Sequence, residues 1–478
     1  MLTDDRPGSD VAMLEEPGKL VSTGRRSPYT CVTRLLPEQP VGSLDEYLHQ
    51  GGGDALAIAR ALDPGEVAAM VKASGLRGRG GAGFPAGVKW EALRSDPQSP
   101  KYLCCNGAEG EPATFKDRFL IRKNPYLLVE GVAIAAYAAG ADAAFIALKA
   151  KFKPEIARLT RAMEEMTAAG LLNRIHLELR LGPDEYLFGE ERALLEVIEG
   201  REPMPRILPP YMQGILAGPT HPYPTIVNNV ETLSNVPGIV THGPDWFRSL
   251  GTERSPGTMI FTVVGDVQRP GIYELPLGIT LQSLLDEYGG GPHGGREIKA
   301  VLSGASNAVI TPVHFDTPLD FDAMAELGSG LGSAGFVVYD DTACMVRVAG
   351  IFSRFLHIES CAQCVPCKLH SERITVRLQR LDAGEATEGD IQEILRSCRM
   401  VTDSQRCYVP TAESFVVQSI VKTFVGEVAV HLEMGCPLPR EILLPKLDDF
   451  DESSGRFTFD ERYSHKRPDW TYDDEEKP

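Results

Sequence analysis

The segment Glu359-Ser360-Cys361-Ala362-Gln363-Cys364-Val365-Pro366-Cys367 sets three cysteines at intervals of three residues inside one short loop. Three thiolates held that close in sequence converge on one point, an arrangement that apolar packing does not need and a metal centre does. A cubane iron-sulfur cluster takes four thiolates, and a tight C-x2-C-x2-C loop supplies three, so the fourth comes from elsewhere in the chain. Cys407 is the expected fourth ligand. It stands in the polar loop 403–410, immediately before a long helix expected from near Thr411, and a rigid element then holds it in place. Cys398 and Cys436 are the alternatives. A structural zinc site competes for the loop, although zinc modules usually present two separated C-x2-C or C-x2-H pairs. Cys31, Cys344, Cys398 and Cys436 are single, and the adjacent Cys104-Cys105 pair is poorly placed to chelate one metal, so these read as core residues.

The chain has 478 residues, 43% hydrophobic and 24% charged, enough for roughly two to four globular domains. Its net charge of −18, from 48 basic and 66 acidic residues, has the wrong sign for a surface that meets nucleic-acid phosphates or anionic lipid. The longest apolar stretch, 131–148, is interrupted by Asp142 before it could cross a bilayer, and MLTDDRPGSD carries acids where a secretory signal carries bases. A cytoplasmic protein without a membrane span is expected, and in that compartment cysteines serve as ligands, catalytic thiols or small core residues rather than disulfides.

Residues 1–42 show no clear period and read as an extended arm. From 43 to 250, Ala-rich helical stretches such as 55–73 alternate with short apolar runs such as 143–148, an α/β pattern. Residues 251–340 open with TMIFTVVGDV, a QRPG turn, IYELPL and the helical TLQSLLDEY, which suggests a small α+β domain. Residues 341–445 are helical, with Val416, Ile420, Phe424, Val428 and Leu432 recurring every four residues on one face. The tail 446–478 is acidic but interleaves Phe450, Phe457, Phe459, Tyr463, Trp470 and Tyr472, a pattern suited to lying across another surface.

A second motif, Ser74-Gly-Leu-Arg77-Gly78-Arg79-Gly80-Gly81-Ala-Gly83-Phe84-Pro85, contains G-x-G-x-x-G, yet Pro85 and Gly87 stand where a dinucleotide fingerprint would begin its helix. With Arg77, Arg79 and Lys89 nearby it reads as an anion site for a flat, phosphorylated cofactor. Polar groups crowd three further loops: Asn106, Glu109 and Glu111; Glu190 and Glu191; and Asn228, Asn229 and Thr232. They suit either recognition of a ring edge or helix capping. No Ser-His-Asp or Cys-His arrangement supports hydrolysis, so the chemistry belongs to a cofactor.

Together, GLRGRGGAGFPAGVKW, CNGAEGEPATFKDR, YLFGEERALLEVIEGR, PTIVNNVETLSNVP and ESCAQCVPCK resemble the NADH-binding flavoprotein subunit of respiratory complex I and its relatives, the diaphorase subunits of NAD-dependent formate dehydrogenases and NAD-reducing hydrogenases. The resemblance implies a Rossmann-like domain for FMN and NAD(H), a β-grasp domain of the soluble ligand-binding kind, and a helical 4Fe-4S domain. It implies FMN contacts at Gly78, Gly80, Lys89, Asn106, Glu109, Gly189, Asn228 and Asn229. It places Phe84, Glu111, Tyr186, Glu191 and Tyr211 on the nicotinamide side, and matches Cys361, Cys364, Cys367 and Cys407 to the cluster ligands.

Such a module exchanges hydride between NAD(H) and FMN and single electrons with the cluster, beside a thioredoxin-like 2Fe-2S subunit and a larger iron-sulfur, molybdenum- or tungsten-containing, or hydrogenase subunit. Three positions depart from the family's pattern: Ala108 replaces a carboxylate near the flavin, Leu208 a lysine, and Ala92 an aromatic ring. A non-enzymatic relay subunit that has lost nicotinamide binding is the alternative these departures raise, and a zinc-stapled scaffold is a third reading.

Overall fold

The computed structural model describes residues 32–218 and 221–473. Most of the expected arm, residues 1–31 with Cys31, lies outside them. Residues 32–41 lie against the molecule as a bent segment rather than an extended one: Val32 N donates to Glu274 O (3.0 Å), Leu35 and Leu36 N donate to Glu274 Oε2 (2.8 and 3.1 Å), and Val41 N donates to Lys123 O (2.8 Å).

Strands β1 (Tyr102–Gly107), β2 (Ala143–Lys149), β3 (His176–Gly182) and β4 (Thr225–Asn229) form a parallel sheet in the order β3-β2-β1-β4. β2 is buried at every position, as its unbroken AAFIALK requires in a sheet covered on both faces. The stretch 131–148 is thus no span: it divides into the end of the buried helix Pro125–Ala139, a left-handed cap at Gly140, and β2. The chain steps from β1 outward to β2 and β3, then returns to place β4 on the other side of β1. That reversal makes a crevice at the carboxyl ends of β1 and β4, where open α/β sheets bind ligands.

The next unit is a mixed sheet in the order β6-β5-β8-β7, built from β5 (Thr258–Gly265), β6 (Gly271–Pro276), β7 (Ile298–Ser303) and β8 (Gly335–Asp340). β5 pairs parallel with β8 and antiparallel with β6. The helices Met345–Ile358, Val365–Asp382, Glu388–Met400, Val409–Thr423 and Val425–Met434 follow. The tail forms the antiparallel hairpin β9 (Leu447–Asp451) and β10 (Arg456–Phe459). It lies on its own chain: Phe450 and Phe457 pack on Phe115, and Trp470 Nε1 donates to Ile358 O (2.9 Å).

Several local expectations need correction. The helical stretch 55–73 is two helices, Asp54–Ala61 and Pro64–Ser74, because Pro64 forces Leu62-Asp63 out of helical geometry and Asp63 with Glu66 builds a capping box. TLQSLLDEY makes one α-helical turn, Leu281–Ser283, then a π-helical one, Leu284–Tyr288. The four-residue repeat of the bundle does not lie on one straight helix. Phe424 leaves helical backbone (φ −105°, ψ 45°) and the two segments bend by 82°. Among the described residues no single helix is long and apolar enough to cross a membrane, and Val416, Ile420 and Val428 of this bent pair are buried in the bundle.

Candidate functional site

The glycine loop reaches the crevice between β1 and β4. An antiparallel bridge between Arg77 and Pro85 closes it, and a helix does begin at Ala86, against the expectation drawn from Pro85 and Gly87. The departure from a dinucleotide fingerprint lies upstream, since the helix Pro64–Ser74 precedes the loop rather than a strand. Arg79 N donates to Thr232 Oγ1 (2.8 Å), and a Cβ on Gly80 would lie 3.2 Å from Asn229 Cβ, so loop and β4 end are in close contact.

The arginine side chains expected at the anion site are engaged within the protein. The Arg79 guanidinium is fully buried and donates to Thr258 O (3.2 Å), Pro256 O (3.0 Å) and Arg77 O (3.1 Å), carbonyls that burial leaves in need of donors. Burial lowers its pKa to about 10. Arg77 is engaged by Asp322 (2.7 Å) and Gly83 O (2.8 Å). Lys89 remains, half-exposed, with its Nζ 3.2 Å from Glu191 Oε2 and 3.3 Å from Val227 O.

The strand ends supply the rest. Asn106 Nδ2 donates to Gly189 O (2.7 Å), joining β1 to the turn Tyr186–Gly189. Asn228 Oδ1 accepts from Trp90 Nε1 (3.0 Å). Asn229 caps the helix Val230–Ser234, donates to Asp117 Oδ2 (2.6 Å) and accepts from Lys116 Nζ (3.1 Å). Beneath it Lys116 Nζ is buried against Asp117 (2.7 Å) and Glu231 (2.9 Å). Against the cost of burial, these carboxylates and Glu109 keep Lys116 protonated, and burial pushes Asp117 up to about 6. This network, which the sequence reading missed, fixes Asn229, while Trp90 holds Asn228.

Other candidates carry structural work. Glu109 accepts from Asp117 N (3.0 Å), Arg118 N (3.3 Å) and Arg118 Nε (3.0 Å), anchoring the helix Lys116–Lys123. Glu190 caps the helix Glu191–Ile198 through Arg192 N and Ala193 N, and burial raises its carboxyl to about 7. Glu111 accepts from Tyr186 OH, Ala305 N (2.7 Å) and Ser306 Oγ (2.5 Å). Phe84, Leu208 and Tyr211 are exposed, as is Ala92, while Ala108 is buried.

Cys361, Cys364, Cys367 and Cys407 line one cavity with Ser360, Gln363, Asp403, Arg406 and Pro410. Ala362 adopts left-handed backbone (φ 52°), which turns the loop sharply between the first two cysteines. Cys364 caps the helix Val365–Asp382 and Cys367 lies in its first turn, so the positive end of that helix faces the cavity. Cys398 and Cys436 do not line it. Burial holds the Cys367 thiol up at about 12 and raises Cys407 further, so these thiols are protonated unless a metal replaces the protons. The donor set fits a thiolate-bound cluster.

Crevice and cavity are joined through one residue. Tyr186 N donates to Glu359 Oε2 (2.8 Å), and its ring lies 5.1 Å from that of Phe355. Glu359, two residues before Cys361 and fully buried, also holds Lys466 Nζ of the tail at 2.9 Å. The loop 205–207 adds a bridge: Arg406 Nη1 donates to Pro205 O (2.9 Å), and Arg192 Nη1 to both Ile207 O (2.9 Å) and Gln405 O (2.8 Å).

A polar switch-point crevice tied to a four-cysteine cavity defines an iron-sulfur electron-transfer module with a cofactor site beside it. Residues 71–238 match the Nuo51 FMN-binding domain, 260–307 the SLBB domain, and 347–431 the NADH-ubiquinone oxidoreductase-F iron-sulfur binding region. The chain is 39% identical over 404 residues to an NADH-quinone oxidoreductase subunit of Rhizobium meliloti, covering 81% of this chain and 95% of that one. It is 35% identical to NADP-reducing hydrogenase subunit HndC of Solidesulfovibrio fructosivorans, covering 83% and 82%. An NAD+-reducing [NiFe]-hydrogenase structure superposes with a TM-score of 0.72 at 35% identity, covering 84% of this chain and 68% of the other. The chain therefore belongs to the family of NADH-binding FMN/4Fe-4S subunits of complex I-like and hydrogenase complexes.

Proposed function

We propose that this chain is the diaphorase subunit of a larger redox complex, complex I-like or formate dehydrogenase-like, acting in the cytoplasm or on the cytoplasmic face of a membrane assembly. FMN, when bound, converts two-electron exchange with NAD(H) into single-electron exchange with the cluster. The side chains then have distinct tasks. Lys89 meets the flavin phosphate, Gly78 and Gly80 let backbone approach it, and Asn106, Asn228 and Asn229 present fixed polar edges to the ring. Glu191, Phe84 and Tyr211 form the nicotinamide-nucleotide side, and Glu111, locked by Tyr186, stands near the nicotinamide. Cys361, Cys364, Cys367 and Cys407 hold the cluster.

The observation that carries this reading is the Tyr186–Glu359 hydrogen bond, which fastens the crevice to the loop that bears the first cluster cysteine. The tail does not discriminate between partner assemblies, because Phe450, Phe457 and Tyr463 pack on Phe115 and Phe355 of this same chain. A thioredoxin-like 2Fe-2S protein as the next electron carrier fits the single four-cysteine cavity found among the described residues. The test is NADH-dependent reduction of a one-electron dye by the full chain, lost when FMN is stripped and restored when it is added back. Absence of dye reduction in a chain loaded with FMN and iron would favour the non-enzymatic relay. Formate-dependent NAD+ reduction by the complex that copurifies with a tagged chain would identify the formate dehydrogenase-like assembly.

A further inference from the structure

A second group of metal-binding side chains lies at the opposite end of the helix that carries the cluster cysteines. Cys364 and Cys367 stand at the start of Val365–Asp382, and Asp382 is its last residue. Fifteen residues of helix separate Cys367 from Asp382, about 22 Å along the axis. Around Asp382 gather Cys344, which caps the helix Met345–Ile358, His431 in the last turns of Val425–Met434, and Cys436 just beyond that helix. One donor atom from each lies within 4.8 Å of every other.

The separations from His431 to Cys344 and to Asp382 suit one ion. Tetrahedral coordination with zinc-thiolate, zinc-imidazole and zinc-carboxylate bonds of ordinary length sets donor atoms about 3.3–3.8 Å apart. Cys344 Sγ and His431 Nε2 are 3.3 Å apart, and His431 Nε2 and Asp382 Oδ1 are 3.8 Å apart. His431 Nδ1 donates to Glu427 O (2.8 Å), which leaves a free lone pair on Nε2 facing the other donors. Asp382 Oδ1 accepts from Arg347 Nε (2.9 Å), and Arg347 N points at Cys344 Sγ (3.4 Å). Two thiolates and a carboxylate around a divalent ion leave one net negative charge, and Arg347 stands beside it.

The backbone also converges here. Gly384 and Gly435 both take left-handed φ of 74°, a Cβ on Gly384 would lie 2.8 Å from Gly435 N, and Cys436 N donates to Asp382 O (3.2 Å). Two turns are thus pressed together so that Asp382 and Cys436 meet. Cys344 and His431 are fully buried with Sγ and Nε2 turned toward each other, so the pair is shielded from solvent as a structural ion site requires.

We propose that Cys344, Asp382, His431 and Cys436 bind a single structural zinc ion, distinct from the iron-sulfur cluster. Binding displaces the two thiol protons to solvent and forms two zinc-sulfur, one zinc-nitrogen and one zinc-oxygen bond, with no change of oxidation state. The ion fastens the bent helix pair, and the chain leading into the tail, to the end of the cluster helix. This explains why the 82° bend at Phe424 is held: it brings His431 to Cys344.

The test uses the full chain, purified anaerobically from medium replete in iron and zinc and washed with a weak chelator. About one zinc per chain is expected beside the iron. Zinc K-edge absorption should show two sulfur neighbours near 2.3 Å and two nitrogen or oxygen neighbours at about 2.0–2.2 Å. Cys436→Ser and Cys344→Ser should each lower bound zinc at least tenfold while iron content and the reduced-state EPR signal persist. Cys398→Ala should keep its zinc. Should those variants fail to fold, the wild-type absorption spectrum decides alone. Zinc far below one per chain, a shell of nitrogen and oxygen only, iron in this site, or a Cys344–Cys436 disulfide would each overturn the assignment.

Discussion

Lys89 Nζ lies 3.2 Å from Glu191 Oε2, so the cation assigned to the flavin phosphate and the carboxylate assigned to the nicotinamide nucleotide form one ion pair at the mouth of the crevice. Phe84 joins them, its ring centre 6.0 Å from the same Nζ. If these two residues take the proposed roles, flavin and nucleotide recognition are coupled through this ion pair.

Lys89→Ala should weaken FMN retention by about 1–3 kcal/mol, since with Arg77 and Arg79 engaged elsewhere it removes the one cation of the three that is left for the phosphate. Free flavin released on dilution, identified as FMN rather than FAD, measures this. Undiminished occupancy in the variant would move the phosphate site elsewhere.

Glu191→Gln should narrow the preference for NADH over NADPH if the carboxylate stands beside the adenosine ribose as proposed, where it would accept from a free hydroxyl and repel a 2′-phosphate. The ratio of kcat/KM for the two nucleotides reads it out. Equal rates of flavin reduction by both in wild type would contradict this placement.

Leu208→Lys should tighten NADH binding by about tenfold, restoring a charge-assisted contact at an exposed position of the loop that touches both domains. Phe450, Phe457 and Tyr463 of the tail do not fill the gap, being packed on Phe115 and Phe355. Titration of NADH against flavin bleaching compares the two chains, and identical affinities would show that Leu208 plays no part.

Lys466→Ala should loosen the tail and destabilise its docking by about 3–5 kcal/mol, because Glu359 would be left buried without its cation. Protease cleavage within 446–473 should appear in the variant and not in wild type. Equal resistance would mean that the hairpin contacts alone hold the tail.

Burial raises the Glu274 carboxyl to about 7, against the amides of Leu35 and Leu36 and the hydroxyl of Thr258. An unfolded Glu titrates near about 4.3, so between about pH 4.5 and 7 the folded chain holds the extra proton and this group's contribution falls as pH rises, by about 2–3 kcal/mol at most. Glu274→Gln removes that slope. Melting temperatures of both chains from pH 4.5 to 7.5 should diverge across the window, and a constant difference would refute it.

The sequence showed much of this because its strongest signals are local. Cys361, Cys364 and Cys367 are spaced by their own loop, and Cys407 announces itself beside a helix start. β2 was legible from an unbroken apolar run. What was hidden depends on partners distant in sequence: Arg79 read as an anion ligand, yet its guanidinium donates to Pro256 and Thr258, and nothing near Lys466 in the sequence points to the buried Glu359 with which it pairs. Cys344 and Cys436 looked solitary because Cys344 lies far in sequence from His431 and Cys436, and the bend at Phe424 that precedes those two is marked by no proline.

That one chain links a two-electron nucleotide to a one-electron cluster is tested most directly by anaerobic titration of the intact chain with NADH, followed by flavin absorbance and low-temperature EPR. The expected result is bleaching of about one FMN per chain and, on full reduction, a cubane signal that Cys407→Ala abolishes and Cys398→Ala preserves. A flavin that dithionite reduces but saturating NADH does not, or a cluster signal that survives Cys407→Ala, would contradict it.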